Sequence, residues 1–208
     1  CGGGNKANST SEQSEETAVN VPQFDADSAY LYVKNQVDFG PRVPNTKEHV
    51  ACGNYLAGQL EAFGAQVTNQ YADLIAYDGT LLKARNIIGS YKPESKKRIA
   101  LFAHWDTRPW ADNDPDEKDH NTPILGANDG ASGVGALLEI ARLVNQQQPE
   151  LGIDIILLDA EDYGAPQFYT GQHKEEFWCL GSQYWARNPH VQGYNARFGN
   201  LVDMVGSE

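Results

Sequence analysis

The fold is decided by three segments of the chain: RIALFAH at residues 98–104, GASGVGALLEIARLVNQ at residues 130–146 and IDIILLDAED at residues 153–162. The first and third segments are continuous apolar runs, which is typical of parallel strands that helices cover on both faces. The middle segment predicts a helix, because its apolar residues recur at helical spacing. Such a βαβ unit is right-handed in about 98% of cases. Ligands bind at the carboxyl ends of strands in open α/β sheets, so we expect a site near His104 and Glu161.

Two helices and a hairpin are predicted before this unit. One amphipathic helix lies in DADSAYLYVKNQVDFG, residues 25–40, and a second extends from Thr46 to Phe63. The segments AQVTNQYADLIAY and LLKARNIIGSYK predict two antiparallel strands, because the turn residues Asp78 and Gly79 separate them.

A helix and a strand are predicted after the βαβ unit. The helix lies in CLGSQYWARN, residues 179–188, and the strand is NLVDMV, residues 200–205. Together with the elements before it, this pattern predicts an α/β fold in which helices sandwich a mixed, mostly parallel central sheet.

The composition limits the classes of partner. The chain has 208 residues, of which 40% are hydrophobic, and this is enough to bury one substantial core. Sixteen Lys and Arg residues against 28 Asp and Glu residues give a net charge of -12, which disfavours binding to nucleic acid. Since no apolar run approaches the roughly 20 residues that span a bilayer, we expect no transmembrane segment.

The amino-terminal segment predicts a tether. Cys1 precedes GGGNKANSTSEQSEETAVN, a polar stretch with almost nothing to bury. It resembles the start of a mature bacterial lipoprotein, in which a lipidated Cys1 holds the protein to the cell envelope, facing the periplasm or the cell surface. The alternative is a chain boundary that falls on a cysteine by chance. We therefore predict a flexible lipoprotein tether at residues 1–23 and a folded domain at residues 24–208.

Acidic side chains follow the predicted strands. Asp129 lies in GANDGASG, where glycines remove bulk and would let a metal ion or ligand approach the carboxylate, although a helix N-cap is the alternative. Glu161 and Asp162 are adjacent at a strand end and would repel each other without a cation or proton between them. His104 and Asp106 are two residues apart and share a face, so that the carboxylate can fix the imidazole's tautomer.

These motifs together resemble the zinc aminopeptidase and glutaminyl cyclase superfamily. The resemblance is carried by the HxD motif at His104, by Asp129, by the acidic pair Glu161–Asp162 and by Asp203. It extends over residues 24–208, because FGPRVPNTKEHVACGNYLAGQLEAFGAQV also resembles the superfamily's first helices. It implies a zinc aminopeptidase-like α/β/α fold whose C-terminal part is lacking from these 208 residues.

The superfamily contains two chemistries. In di-zinc aminopeptidases, a metal-bound water attacks a peptide bond. That resemblance implies His104, Asp129, Asp162 and Asp203 as ligands of two zinc ions, with Glu161 as general base. In glutaminyl cyclases, a single zinc polarises the γ-amide of an N-terminal glutamine, and the products are pyroglutamate and ammonia.

Three segments resemble the bacterial glutaminyl cyclases more closely: HWDTRPWAD, DAEDYG and FWCLGSQYWARN. This resemblance implies one zinc ion, held by Asp129 and Asp162 and by a histidine expected beyond Glu208. It also implies peptides or proteins with N-terminal glutamine as substrates. A non-catalytic binding lipoprotein on a decayed peptidase fold is a third interpretation, which the presence of Glu161 disfavours.

The cyclase interpretation also assigns the remaining site residues. Glu161 is the acid/base that moves a proton from the α-amine to the leaving ammonia, and Asp203 is its hydrogen-bonding partner. The aromatic side chains of Trp105 and Trp110 are expected to be walls of the substrate pocket, because they would exclude water and restrict a flexible side chain.

Overall fold

The computed structural model describes residues 21–206. The predicted tether at residues 1–23 lies almost entirely outside the described residues, and it stays a prediction together with the domain boundary. The described elements are α1 (Ala26–Val37), α2 (Lys47–Ala62), β1 (Gln66–Ile75), β2 (Leu81–Tyr91), β3 (Arg98–His104), α3 (Ala131–Gln147), β4 (Gly152–Leu158), α4 (Leu180–Arg187) and β5 (Gly199–Leu201). Short 3-10 turns occur at Glu117–Asp119 and Glu175–Phe177.

The first two helices begin at the residues that the sequence indicates. Asp25 accepts hydrogen bonds from the backbone N–H groups of Asp27 and Ser28, and Thr46 accepts one from that of His49. Such caps satisfy backbone donors that the first helical turn leaves without partners.

The five strands form one mixed sheet in the order β1-β2-β4-β3-β5. β1 pairs with β2 and β2 with β4 in antiparallel orientation, whereas β3 is parallel to both β4 and β5. The predicted hairpin and the parallel pair of the βαβ unit are therefore confirmed. Because β3 and β4 are central neighbours, the loops that follow them leave the same edge of the sheet side by side.

Helices cover both faces of the sheet. α2 and α3 pack on one face through a core that includes Leu56, Leu137 and Ile155, and α1 packs against α3. On the other face, Ile88 and Ile156 form a smaller core with Trp185 of α4. All seven residues of β4 are buried, as the continuous apolar run predicts for a strand covered on both faces.

The last strand is shorter than predicted. β5 ends at Leu201 rather than extending to Val205, so Asp203 lies in the loop beyond the strand. Leu201 is 62% exposed and Val205 51% exposed, which leaves apolar surface at this edge of the described sheet.

Two further features concern the described residues. Within residues 21–206, no helix has the length and apolar character needed to cross a membrane. In the same part of the chain, Cys52 and Cys179 are both free thiols.

Candidate metal centre

Five of the predicted site residues meet at the carboxyl ends of the parallel strands. His104 ends β3, Glu161 and Asp162 follow β4, Asp203 follows β5, and Asp129 lies just before α3. They form two groups of possible metal ligands that share His104, and within each group the ligand atoms lie within 4.8 Å of one another. One group contains Asp129 and Asp162, and the other contains Glu161 and Asp203.

His104 is held between carboxylates on both sides of its ring. Nδ1 lies 3.4 Å from Oδ1 of Asp106, and Nε2 lies 2.7 Å from Oδ1 of Asp129. Burial of the ring lowers its pKa, but the hydrogen bonds with Asp106 and Asp129 outweigh this effect and raise the pKa to about 12. The expected orienting contact between Asp106 and His104 is therefore present.

Asp106 also fixes the acidic pair. Its fully buried carboxylate accepts hydrogen bonds from the backbone N–H groups of Glu161, at 3.0 Å, and Asp162, at 3.1 Å. Burial alone would raise the pKa of Asp106, yet the bond with His104 and these two donors keep it below its ordinary value. One carboxylate thus connects the loop after β3 to the loop after β4.

Asp129 is not the cap of α3. The N-cap is Gly130, and no side chain caps this helix. Gly130 has to be glycine, because a Cβ atom there would lie 2.5 Å from the backbone oxygen of His104. At Gly126, which has φ +56°, a side chain would collide with Thr107. The glycines therefore bring the loop close to His104, next to which the Asp129 carboxylate lies.

Asp162 has an unpaired oxygen. Its Oδ2 atom is shielded from solvent and has no hydrogen-bond partner among the described residues. Burial, followed by repulsion from Asp106, raises the pKa of Asp162 to about 7. A buried carboxylate oxygen without a partner is costly unless a proton or a cation is bound. The donor set of His104, Asp129 and Asp162 consists of imidazole and carboxylate groups, which suits zinc.

Glu161 belongs to the second group of possible ligands. Its side chain is half-buried, and burial raises its pKa against the opposing effect of His104. Oδ1 of Asp203, which is 37% exposed, lies 3.6 Å from Nε2 of His104. The two members of the acidic pair therefore belong to different groups of possible ligands.

The two tryptophans differ from the expectation that both wall the pocket. Trp105 is fully buried, its ring stacks on His49 at 4.3 Å between ring centroids, and its Nε1 donates to the carbonyl of Arg85. It belongs to the core and does not line a pocket open to solvent. Neighbours on a strand point to opposite faces, so Trp105 points away from the side that His104 faces. Trp110 is half-buried and contacts Tyr77 and Tyr163 edge to face.

Arg42, which the sequence analysis did not identify, supports the loop GANDGASG at residues 126–133. Arg42 is fully buried, and its guanidinium donates to the backbone carbonyls of Gly40, Leu125 and Gly126. Every residue has a backbone carbonyl, so no sequence pattern identifies such acceptors. The segment FGPRVPNT gives no other signal of this role.

Solved structures of similar proteins cover almost all of the folded chain. Glutaminyl cyclase of Bacteroides thetaiotaomicron, bound to N-acetylhistamine, is 92% identical with a TM-score of 0.90, over 91% of this chain and 65% of that one. A leucine aminopeptidase precursor from the same species is 93% identical with a TM-score of 0.90, over 91% of this chain and 66% of that one. Tannerella forsythia glutaminyl cyclase is 58% identical with a TM-score of 0.87, over 90% of this chain and 64% of that one.

This chain spans about 65% of the length of the glutaminyl cyclase from Bacteroides thetaiotaomicron. The sequence model of peptidase family M28 matches residues 86–208, which are more than half of the chain and include all five residues of the cluster. The α/β fold, the order of the motifs and the cluster at the carboxyl ends of β3 and β4 agree with this match. The protein therefore belongs to peptidase family M28.

Proposed function

We propose that the protein is a zinc-dependent glutaminyl-peptide cyclotransferase, which converts the N-terminal glutamine of peptides or proteins to pyroglutamate and releases ammonia. The observation that carries the proposal is the 92% identity, over 91% of this chain, to a solved glutaminyl cyclase. The clustered imidazole and carboxylate groups support it, because they include two carboxylates that can bind zinc and a third carboxylate that can transfer a proton.

Asp129 and Asp162 are the proposed zinc ligands in this chain. The unpaired Oδ2 atom of Asp162 supports the assignment, as does the absence of a capping role for Asp129. Bound there, zinc would act as a Lewis acid that polarises the γ-carbonyl of the substrate glutamine. We propose one ion per protein.

Glu161 is the proposed proton carrier. In the reaction, the α-amine nitrogen forms a bond to the γ-carbon, and the bond from this carbon to the amide nitrogen breaks. The Glu161 carboxylate accepts the proton that the α-amine loses and donates it to the departing nitrogen, which leaves as ammonia. Asp203 is proposed as its hydrogen-bonding partner: ligand atoms of the two residues lie within 4.8 Å of each other, and a hydrogen bond between them would require one of the two carboxyl groups to carry a proton.

A di-zinc aminopeptidase is the second candidate function. Its zinc ligands would be His104, Asp129, Asp162 and Asp203, with Glu161 as general base, and all five residues lie in the cluster. A structure 93% identical to this chain is described as a leucine aminopeptidase precursor. The two candidates differ in zinc content and in product. The cyclotransferase binds about one zinc and releases ammonia, whereas the aminopeptidase binds two and releases a free amino acid.

The full-length protein, loaded with zinc, is to be incubated with two peptides that differ only in their first residue, glutamine or leucine. We expect the glutaminyl peptide to lose ammonia, as measured by mass spectrometry and an ammonia assay, while the leucyl peptide stays intact. Cleavage of the leucyl peptide with no change in the glutaminyl peptide would replace this proposal with the aminopeptidase.

A further inference from the structure

Arg108 lies in the loop after β3 and uses all its donors. Each of its five guanidinium N–H groups faces an acceptor oxygen, and three of these acceptors are backbone carbonyls of the loop after β4. The acceptors are Oδ1 and Oδ2 of Asp112 and the carbonyls of Asp162, Gly164 and Ala165.

Asp112 and two indole rings orient this guanidinium. The nearly buried Asp112 binds it through both carboxylate oxygens and also accepts the backbone N–H of Gln167 at 2.8 Å. The guanidinium carbon lies 5.7 Å from the ring centroid of Trp110 and 4.9 Å from that of Trp178. A bidentate carboxylate and flanking rings are an arrangement that arginine forms and lysine does not.

The backbone of the turn at 161–165 is consequently held from two sides. Asp106 accepts the N–H groups of Glu161 and Asp162. Arg108 donates to the carbonyls of Asp162, Gly164 and Ala165. Gly164 fits this arrangement, because the ring of Trp178 occupies the space that a Cβ atom would need.

We propose that Arg108, oriented by Asp112, is a positioning residue that fixes the directions of the Glu161 and Asp162 side chains at the zinc site. This proposal rests on the proposed function, because it takes Asp162 as a zinc ligand and Glu161 as the proton carrier. Arg108 acts through the backbone and does not itself bind zinc. Groups that support metal ligands in this way change metal affinity by about 10- to 100-fold when removed.

The test replaces Arg108 by lysine in the full-length protein. Lysine keeps the charge but lacks the planar fork, so we expect zinc binding, measured by competition with a chromophoric chelator, to weaken by at least about 10-fold. We also expect kcat for the glutaminyl peptide to fall with little change in KM. The matched control is Arg187→Lys on α4, where the exposed arginine contacts Gln183, and it should leave both quantities unchanged.

Asp112→Asn is the second variant, because it removes the charge that orients Arg108 and keeps the side chain's shape. Weaker zinc binding in either folded variant supports the proposal for Arg108. If the unmodified protein forms no pyroglutamate, that result rejects the cyclotransferase function and leaves the proposal for Arg108 standing. Zinc affinity and kcat equal to those of Arg187→Lys in both variants would overturn it. A lower melting temperature with unchanged zinc affinity would also overturn it, since Arg108 would then serve stability alone.

Discussion

Glu161 is the residue whose replacement separates metal binding from proton transfer. Glu161→Gln keeps the size and shape of the side chain but removes the group that carries the proton. We therefore expect kcat for the glutaminyl peptide to fall by roughly 10² to 10⁴ while about one zinc stays bound. Enzyme kinetics and elemental analysis of the same preparation check both points. Full turnover in this variant would remove Glu161 from the proposed mechanism.

Asp129 allows a second test at the scale of one side chain. Asp129→Ala should release zinc, as measured by elemental analysis, because it removes one of the two proposed carboxylate ligands. The exposed Asp38→Ala is the control for loss of one negative charge. Retention of stoichiometric zinc by Asp129→Ala would exclude it as a ligand.

At the scale of elements, the sequence predicted the helices, the hairpin and the parallel pair, because their signals are local. Apolar runs identify β3 and β4, and Asp78–Gly79 identifies the turn between β1 and β2. The length of β5 was overestimated, since apolar residues continue to Val205 although pairing with β3 ends at Leu201. Pairing depends on the neighbouring strand, which the local pattern does not contain.

The site could be predicted in part for the same reason. His104, Asp129, Glu161 and Asp162 were singled out by their residue types and positions beside the predicted strands, and Asp203 by the family resemblance; the structure brings all five together, and their roles stay predictions. The contacts of Arg42, and those of Arg108 with the loop after β4, could not be found, because these acceptors are backbone carbonyls that every residue offers. Trp105 was expected to be a wall of the substrate pocket, but its side chain is buried in the core, because adjacency to His104 in sequence does not mean a shared face.

The buried position of Trp105 leads to a prediction about the stability of the core next to β3. Trp105→Phe removes the donor to the buried carbonyl of Arg85 and leaves space beside His49. We expect a loss of roughly 1–3 kcal/mol in the free energy of unfolding, measured with urea, and an unchanged KM for the glutaminyl peptide. If Trp105 were a wall of the substrate pocket, Trp105→Phe would instead change KM and leave the free energy of unfolding nearly unchanged.

For the whole molecule, zinc should stabilise the folded state, because its ligands come together only when the loops after β3 and β4 are in place. Zinc at 100 times its dissociation constant should add about 2.7 kcal/mol to the free energy of unfolding. Removal of zinc by a chelator should lower the melting temperature of the protein, and added zinc should restore it. A melting temperature that does not respond to zinc would contradict a site in these residues.

The two hydrogen bonds that Asp106 accepts also have a consequence for amide hydrogen exchange. Glu161 and Asp162 lie outside the strands, yet their N–H groups bind a carboxylate that is fully buried. In heavy water, these two amides should exchange at rates near those of β4 rather than those of an exposed loop. NMR or mass spectrometry of the free protein would then report how often these two hydrogen bonds of Glu161 and Asp162 open in the absence of substrate. Rapid exchange of both amides would show that the pair is ordered only after a ligand binds.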